Sequence, residues 1–98
     1  MKLEFHPEAE HELIEAAAYY EGEVPGLGER LGAEVRRASN RLLEYPQIGP
    51  LIESELRKFV LDQFPYTLIY SASAEALQII AVAHQKRRPG YWKTRVDR

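Results

Sequence analysis

Residues 56–95 read LRKFVLDQFPYTLIYSASAEALQIIAVAHQKRRPGYWKTR. Three strand-forming runs follow one another here, and a basic, aromatic tail comes after them. Phe64-Pro65-Tyr66 parts the first run from the second, because proline lacks the amide donor that a continuing strand needs. Ser71 to Glu75, small and polar, turns the second run into the third. The third run, Leu77 to His84, is apolar on both faces. A strand reads this way when both of its sides are covered, so residues 77–84 are placed in the interior of a sheet. That strand delivers His84 to one edge of the sheet, and Gln85, Lys86, Arg87 and Arg88 follow immediately. A functional site is expected there first.

Upstream, Lys2 to Phe5 alternates polar and apolar as a short strand does. His6-Pro7 opens a helix, with Glu8, Glu10 and Glu12 at the positive end of its dipole. Ala9, Leu13, Ala16, Ala17 and Tyr20 share one face at helical spacing, and the opposite face is mostly Glu. Gly22 to Gly26 breaks this helix. A second helix over 27–44 carries an apolar stripe of Leu27, Leu31, Val35, Ala38, Leu42 and Tyr45. Gly28 and Gly32 within it read as points of close packing against the first helix. Tyr45-Pro46 ends it, and residues 47–50 form a loop. The order strand, helix, helix, strand, strand, strand (β-α-α-β-β-β) predicts an α+β fold, an antiparallel sheet with the N-terminal helical hairpin on one face. The chain has 98 residues and no internal repeats, which fits one domain, 1–98.

Composition narrows the chemistry. Cysteine is absent, which excludes disulfides, thiol nucleophiles and Cys-ligated zinc. There is no run of 18 apolar residues, so no membrane partner is expected, and Met1-Lys2 leads into a strand without the apolar core of a signal peptide. A cytoplasmic protein is expected. Net charge is −2, yet residues 1–49 hold five Lys/Arg against ten Glu, and residues 50–98 hold eight against five Asp/Glu. An acidic chain is a poor general ligand for nucleic acid. Its local basic edge after His84 reads either as a solvated tail or as a contact surface.

His6, Glu10, His11 and Glu15 have the i,i+4 spacing of metal ligands but read as a solvated helix face, and no metal or cofactor is assigned. No phosphate loop, nucleophile elbow or HExxH motif is present. Glu53, Glu55, Arg57 and Lys58 read as charge on an exposed strand and its loop. His84 with Arg57, Arg87, Arg88 and Tyr91 could supply the base, the cations and the acid for RNA cleavage by its own 2′-hydroxyl. The alternative is that His84 ends a strand and bonds a backbone group. Tyr91 and Trp92, after Pro89-Gly90, read as an apolar clasp on the sheet, or else as a base-stacking platform.

Ala18-Tyr19-Tyr20, Tyr45-Pro46 with Gly49, Leu56-Arg57, Phe64-Pro65-Tyr66-Thr67-Leu68-Ile69-Tyr70, and Ile79 to His84 with Arg87, Pro89, Trp92 and Arg95 together carry a family resemblance. Nearly the whole chain resembles the RelE/ParE superfamily, the toxins of type II (plasmid stabilisation type) toxin–antitoxin systems. The resemblance implies a cognate antitoxin and one of two mechanisms. RelE-like toxins cut mRNA in the ribosome with basic residues on the sheet; ParE-like toxins bind and inhibit DNA gyrase. The strand around Val60-Leu61-Asp62 lacks the further cations of RelE-like sites, and the chain is acidic. Both departures point to the ParE-like branch, with Arg87, Arg88, Tyr91, Trp92 and Arg95 as target-binding residues. The RelE-like alternative would use Arg57, His84, Arg87, Arg88 and Tyr91 as its catalytic set, with ribosome and mRNA as partners. A third reading is a degenerate member that binds its antitoxin without toxicity.

Overall fold

Residues 77–84 do form an interior strand. The structure, a computed structural model, describes residues 1–96. It contains β1 (Lys2–Phe5), α1 (Pro7–Glu23), α2 (Leu27–Glu44), β2 (Leu51–Glu53), β3 (Leu56–Val60), β4 (Tyr66–Ala72), β5 (Ala76–His84) and a 3-10 turn at Lys93–Arg95. The sheet order is β1-β5-β4-β3-β2, so β5 lies between β1 and β4. Leu77, Ile79, Ile80, Ala81 and Val82 are all buried.

Two features depart from the expected sheet. A short strand, β2, precedes the three that were expected, and β1 runs parallel to β5. The first departure produces the second. Each connection in this fold reverses the chain, so one added strand changes the parity of reversals between β1 and β5 from antiparallel to parallel. The sheet is therefore mixed, with β2 to β5 antiparallel. The turn into β3 is Ser54-Glu55, with Ser54 at φ 49°. Glycine, asparagine and aspartate are the usual signals for such a conformation, and none stands there.

The helical hairpin covers one face. Ala9 and Ala16 of α1, and Leu31, Val35, Ala38 and Leu42 of α2, are buried against Leu68, Tyr70, Leu77, Ile79 and Val82 of the sheet. Tyr45, expected on the α2 stripe, is exposed instead, because the helix has ended by that residue. α1 continues through Gly22 and stops only at Glu23. His6 caps it, its Nδ1 accepting the Glu8 N–H at 3.1 Å. Gly28 meets the expectation of close packing, since a Cβ there would collide with the Ala17 carbonyl oxygen. Gly32 does not: open space surrounds its missing side chain. The Glu21 carboxylate accepts the amides of Gly26 and Gly28 at 2.8 and 3.0 Å, and these bonds hold its pKa below the usual carboxylate range.

The other face is covered by the tail. Trp92 is buried among Leu56, Ile69, Ile80, Ala81 and Ala83, the apolar clasp expected of it. A bulge makes this two-sided burial possible. Ile69 pairs with Ala81 but Tyr70 with Ile79, which leaves Ile80 as the extra residue. Ile79 and Val82 then pack toward the helices, while Ile80 and Ala81 pack toward Trp92.

Candidate functional site

The site grows from the point where β1 stops. β1 covers the outer edge of β5 only as far as Phe5 opposite Ile79, and His6 N–H closes the pairing on the Ile79 carbonyl at 2.8 Å. Beyond it, the Ile80 carbonyl and the Val82 amide need other partners, because buried backbone groups left unpaired are costly. Side chains supply them. The Val82 N–H donates to Glu12 Oε1 at 2.9 Å, and the Arg95 guanidinium donates to the Ile80 carbonyl at 3.0 Å. Arg95 also grips Glu12 through two N–H groups, at 3.0 and 2.7 Å. The Tyr91 hydroxyl donates to Glu12 Oε2 at 2.7 Å. One carboxylate from α1 therefore ties the C-terminal tail across the free edge of β5.

The electrostatics follow from this geometry. Burial pushes the Glu12 carboxyl up, but the bonds from Arg95, Tyr91 and Val82 outweigh it and leave its pKa below the usual value. Arg95 is pushed up by the same contact with Glu12. Tyr91 is pushed far up, first by burial and then by donating to Glu12, so its hydroxyl stays protonated.

Past this clamp lies the basic loop. Lys86, Arg87 and Arg88 are all exposed. Arg87 lies over the Tyr91 ring, its guanidinium carbon 3.8 Å from the centroid. His84 at the end of β5 packs edge-on against Tyr66, ring centroids 5.1 Å apart, and its Nδ1 accepts the Lys86 N–H at 3.0 Å. This is the backbone-bonding role, and it holds the start of the loop.

The residues named from the sequence thus fall into separate groups. Arg87 and Tyr91 are together, with Arg88 nearby in sequence on the exposed loop. Trp92 is in the core and the Arg95 side chain is only 7% exposed, so neither presents a free contact surface. Arg57 is elsewhere. It pairs with Tyr70 on β4, whereas His84 pairs with Tyr66, which puts the two roughly 13 Å apart along the strand at ~3.3 Å per residue. Its guanidinium donates to the carbonyls of Gly49 at 2.7 Å and Gln47 at 3.3 Å. The Tyr70 hydroxyl completes that junction, donating to the Pro46 carbonyl at 2.8 Å and accepting the Gly49 amide at 3.1 Å. A Cβ on Gly49 would collide with the Lys58 carbonyl oxygen. Arg57 therefore holds the loop between α2 and β2.

Two acidic residues escaped the sequence reading. Glu12 was read only as an acidic residue at the positive end of the α1 dipole, and Glu34 carried no reading. Glu34 is buried on α2 and accepts the amides of Asp62 at 2.6 Å and Gln63 at 3.3 Å, which fixes the turn between β3 and β4. The signal was spacing. Glu12 lies three residues after Ala9 and four before Ala16; Glu34 lies three after Leu31 and four before Ala38. Both are in step with the buried stripes of their helices. Glu8, itself exposed on α1, also reaches the buried Arg95 side chain at 3.5 Å, whereas His11 with Glu15 at 3.0 Å is a surface pair.

No helix among the described residues is long and apolar enough to cross a membrane. No curated protein matches this chain in sequence. Among solved structures, a chain of the chromosomal ParDE toxin–antitoxin system from P. aeruginosa matches with a TM-score of 0.74 at 16% identity. The match covers 86% of this chain and 95% of that one, and it supports the same α+β architecture. The model of the ParE toxin of the type II toxin–antitoxin system, parDE, matches residues 3–89, from β1 to the end of the basic loop. A match over that much of the sequence, on a fold of the same kind, assigns the chain to the ParE toxin family of type II toxin–antitoxin systems.

Proposed function

We propose that this chain is a toxin that acts by binding DNA gyrase in the cytoplasm and is held inactive by a cognate antitoxin. The observation that carries this reading is the distribution of cations. A nuclease needs its base, acid and cations around one phosphate. Here Arg57 is bonded to loop carbonyls and His84 to a backbone amide, on separate stretches of the sheet. Next to His84, Lys86, Arg87 and Arg88 are three consecutive exposed cations on one loop, an arrangement suited to contacting a protein surface. Trp92 packs on Leu56, Ile69, Ile80, Ala81 and Ala83 of the sheet and is not free to stack on a base.

The antitoxin reading draws on exposed apolar surface. Ile14 and Tyr19 on α1, and Tyr45, Ile48 and Leu51 around the loop into β2, are large apolar side chains in water. β1 and β2 end the sheet on either side, and an outer strand edge accepts an added strand.

The test is controlled expression without antitoxin, scoring DNA synthesis, DNA damage response and mRNA integrity separately. Gyrase binding is expected to halt DNA synthesis with mRNA intact, and His84→Ala is expected to leave toxicity largely in place. Cleaved mRNA that disappears in His84→Ala would install the RelE-like reading. Growth without any arrest would install the degenerate one.

A further inference from the structure

We infer that Glu12 and Tyr91 are positioning residues for Arg87, holding its guanidinium flat so that its outer N–H groups face a carboxylate on the toxin's target. The inference rests on the reading of the basic loop as a contact surface given above. Four observations lead to it. Arg87 is exposed and lies 3.8 Å over the Tyr91 ring. The ring is half-buried, and its hydroxyl is tied to Glu12 at 2.7 Å. Glu12 is itself fixed by Arg95 and by the Val82 amide. Arg95 is fixed in turn by the backbone of the β5 bulge. An unbroken chain of contacts thus runs from the rigid interior strand to an exposed cation.

The chemistry of each link serves that end. A free arginine loses much rotamer freedom when it docks, whereas one already stacked on an immobile ring has less to lose. A hydroxyl donating to a carboxylate makes the tyrosine ring richer in electrons, which strengthens its attraction for a cation. Stacking uses the face of the guanidinium and leaves its edge free. That edge matches a carboxylate through two parallel N–H donors.

The full chain is labelled with 15N-arginine, and the order of the Arg87 Nε–H group is measured by NMR relaxation. In the same variants, toxicity is read as the inducer dose that halves growth without antitoxin. Tyr91→Leu is expected to release Arg87 into rapid motion and to raise the dose by about three- to tenfold, the range of a cation–π contact. Arg87→Ala is expected to raise it at least as far, and the Arg87→Ala/Tyr91→Leu pair no further. Glu12→Gln and Tyr91→Phe keep the ring and loosen its tether, so intermediate order and intermediate toxicity are expected from both. If the double variant shows the product of the two single effects, Tyr91 acts through the fold and the inference fails. It fails also if Arg87 keeps its order in Tyr91→Leu. Full toxicity of Arg87→Ala would instead refute the contact-surface reading, while the relaxation data report on the positioning separately.

Discussion

Replacing Arg95 by methionine keeps the buried stem and removes the charge, which isolates the clamp. Three hydrogen bonds are lost: two to Glu12, at 3.0 and 2.7 Å, and one to the Ile80 carbonyl, at 3.0 Å. Breaking a fully buried ion pair costs about 3–5 kcal/mol. Glu12 keeps 15% of its side chain in water and retains its bonds from Val82 and Tyr91, so its charge is not stranded. A loss of about 2–3 kcal/mol at neutral pH is therefore expected, equivalent to roughly 10–20 °C in Tm for a domain of this size. The loss should depend on pH. Glu12 ionises more readily folded than at its ordinary value of 4.5, so its contribution is fully present above that value. It disappears as pH falls through the lower, folded pKa. The variant lacks most of that contribution at any pH. Urea titrations of both proteins should show a gap that stays constant from about pH 7 down to about pH 4.5 and narrows only as the pH falls further. A gap below about 0.5 kcal/mol at neutral pH, or one that does not change with pH, would refute the clamp.

Other expectations concern separate parts of the molecule. Gly28→Ala places a methyl against the Ala17 carbonyl and should cost about 1–3 kcal/mol in urea unfolding, whereas Gly32→Ala, in open space, should stabilise by up to about 1 kcal/mol. Tyr70→Phe loses two hydrogen bonds at the loop junction and should cost about 1–3 kcal/mol; an unchanged urea midpoint would show that the loop holds without it. Reversing Arg87 and Arg88 to Glu should abolish growth arrest while the thermal midpoint stays within a few degrees, since exposed charges contribute little to stability. Full toxicity in that double variant would remove the loop from the mechanism.

Much of the fold follows from local pattern. The apolar stripes of α1 and α2 and the two-sided run of β5 are properties of neighbouring residues, and each sets its own period and burial. Their order alone placed a helical hairpin on a sheet with β5 inside it. The basic loop after His84 was legible for the same reason, because exposed charge leaves an undiluted signature in sequence. β2 was not: three residues and a Ser54-Glu55 turn carry no periodicity to detect, yet that strand sets the direction of β1 against β5.

The identity of the clamp was decided by tertiary structure. A buried glutamate and a solvated one look alike in a chain, and only Glu12's place beside the free edge of β5 separates it from Glu8, Glu10 and Glu15. Arg95 and Arg87 are likewise two cations of one tail, yet one pairs inward and the other faces water. The reason is geometric. Backbone groups of a strand are satisfied by whatever lies beside it, and β1 ends before β5 does. Which side chains fill that gap depends on contacts across 70 to 83 residues of chain, beyond the reach of any local pattern.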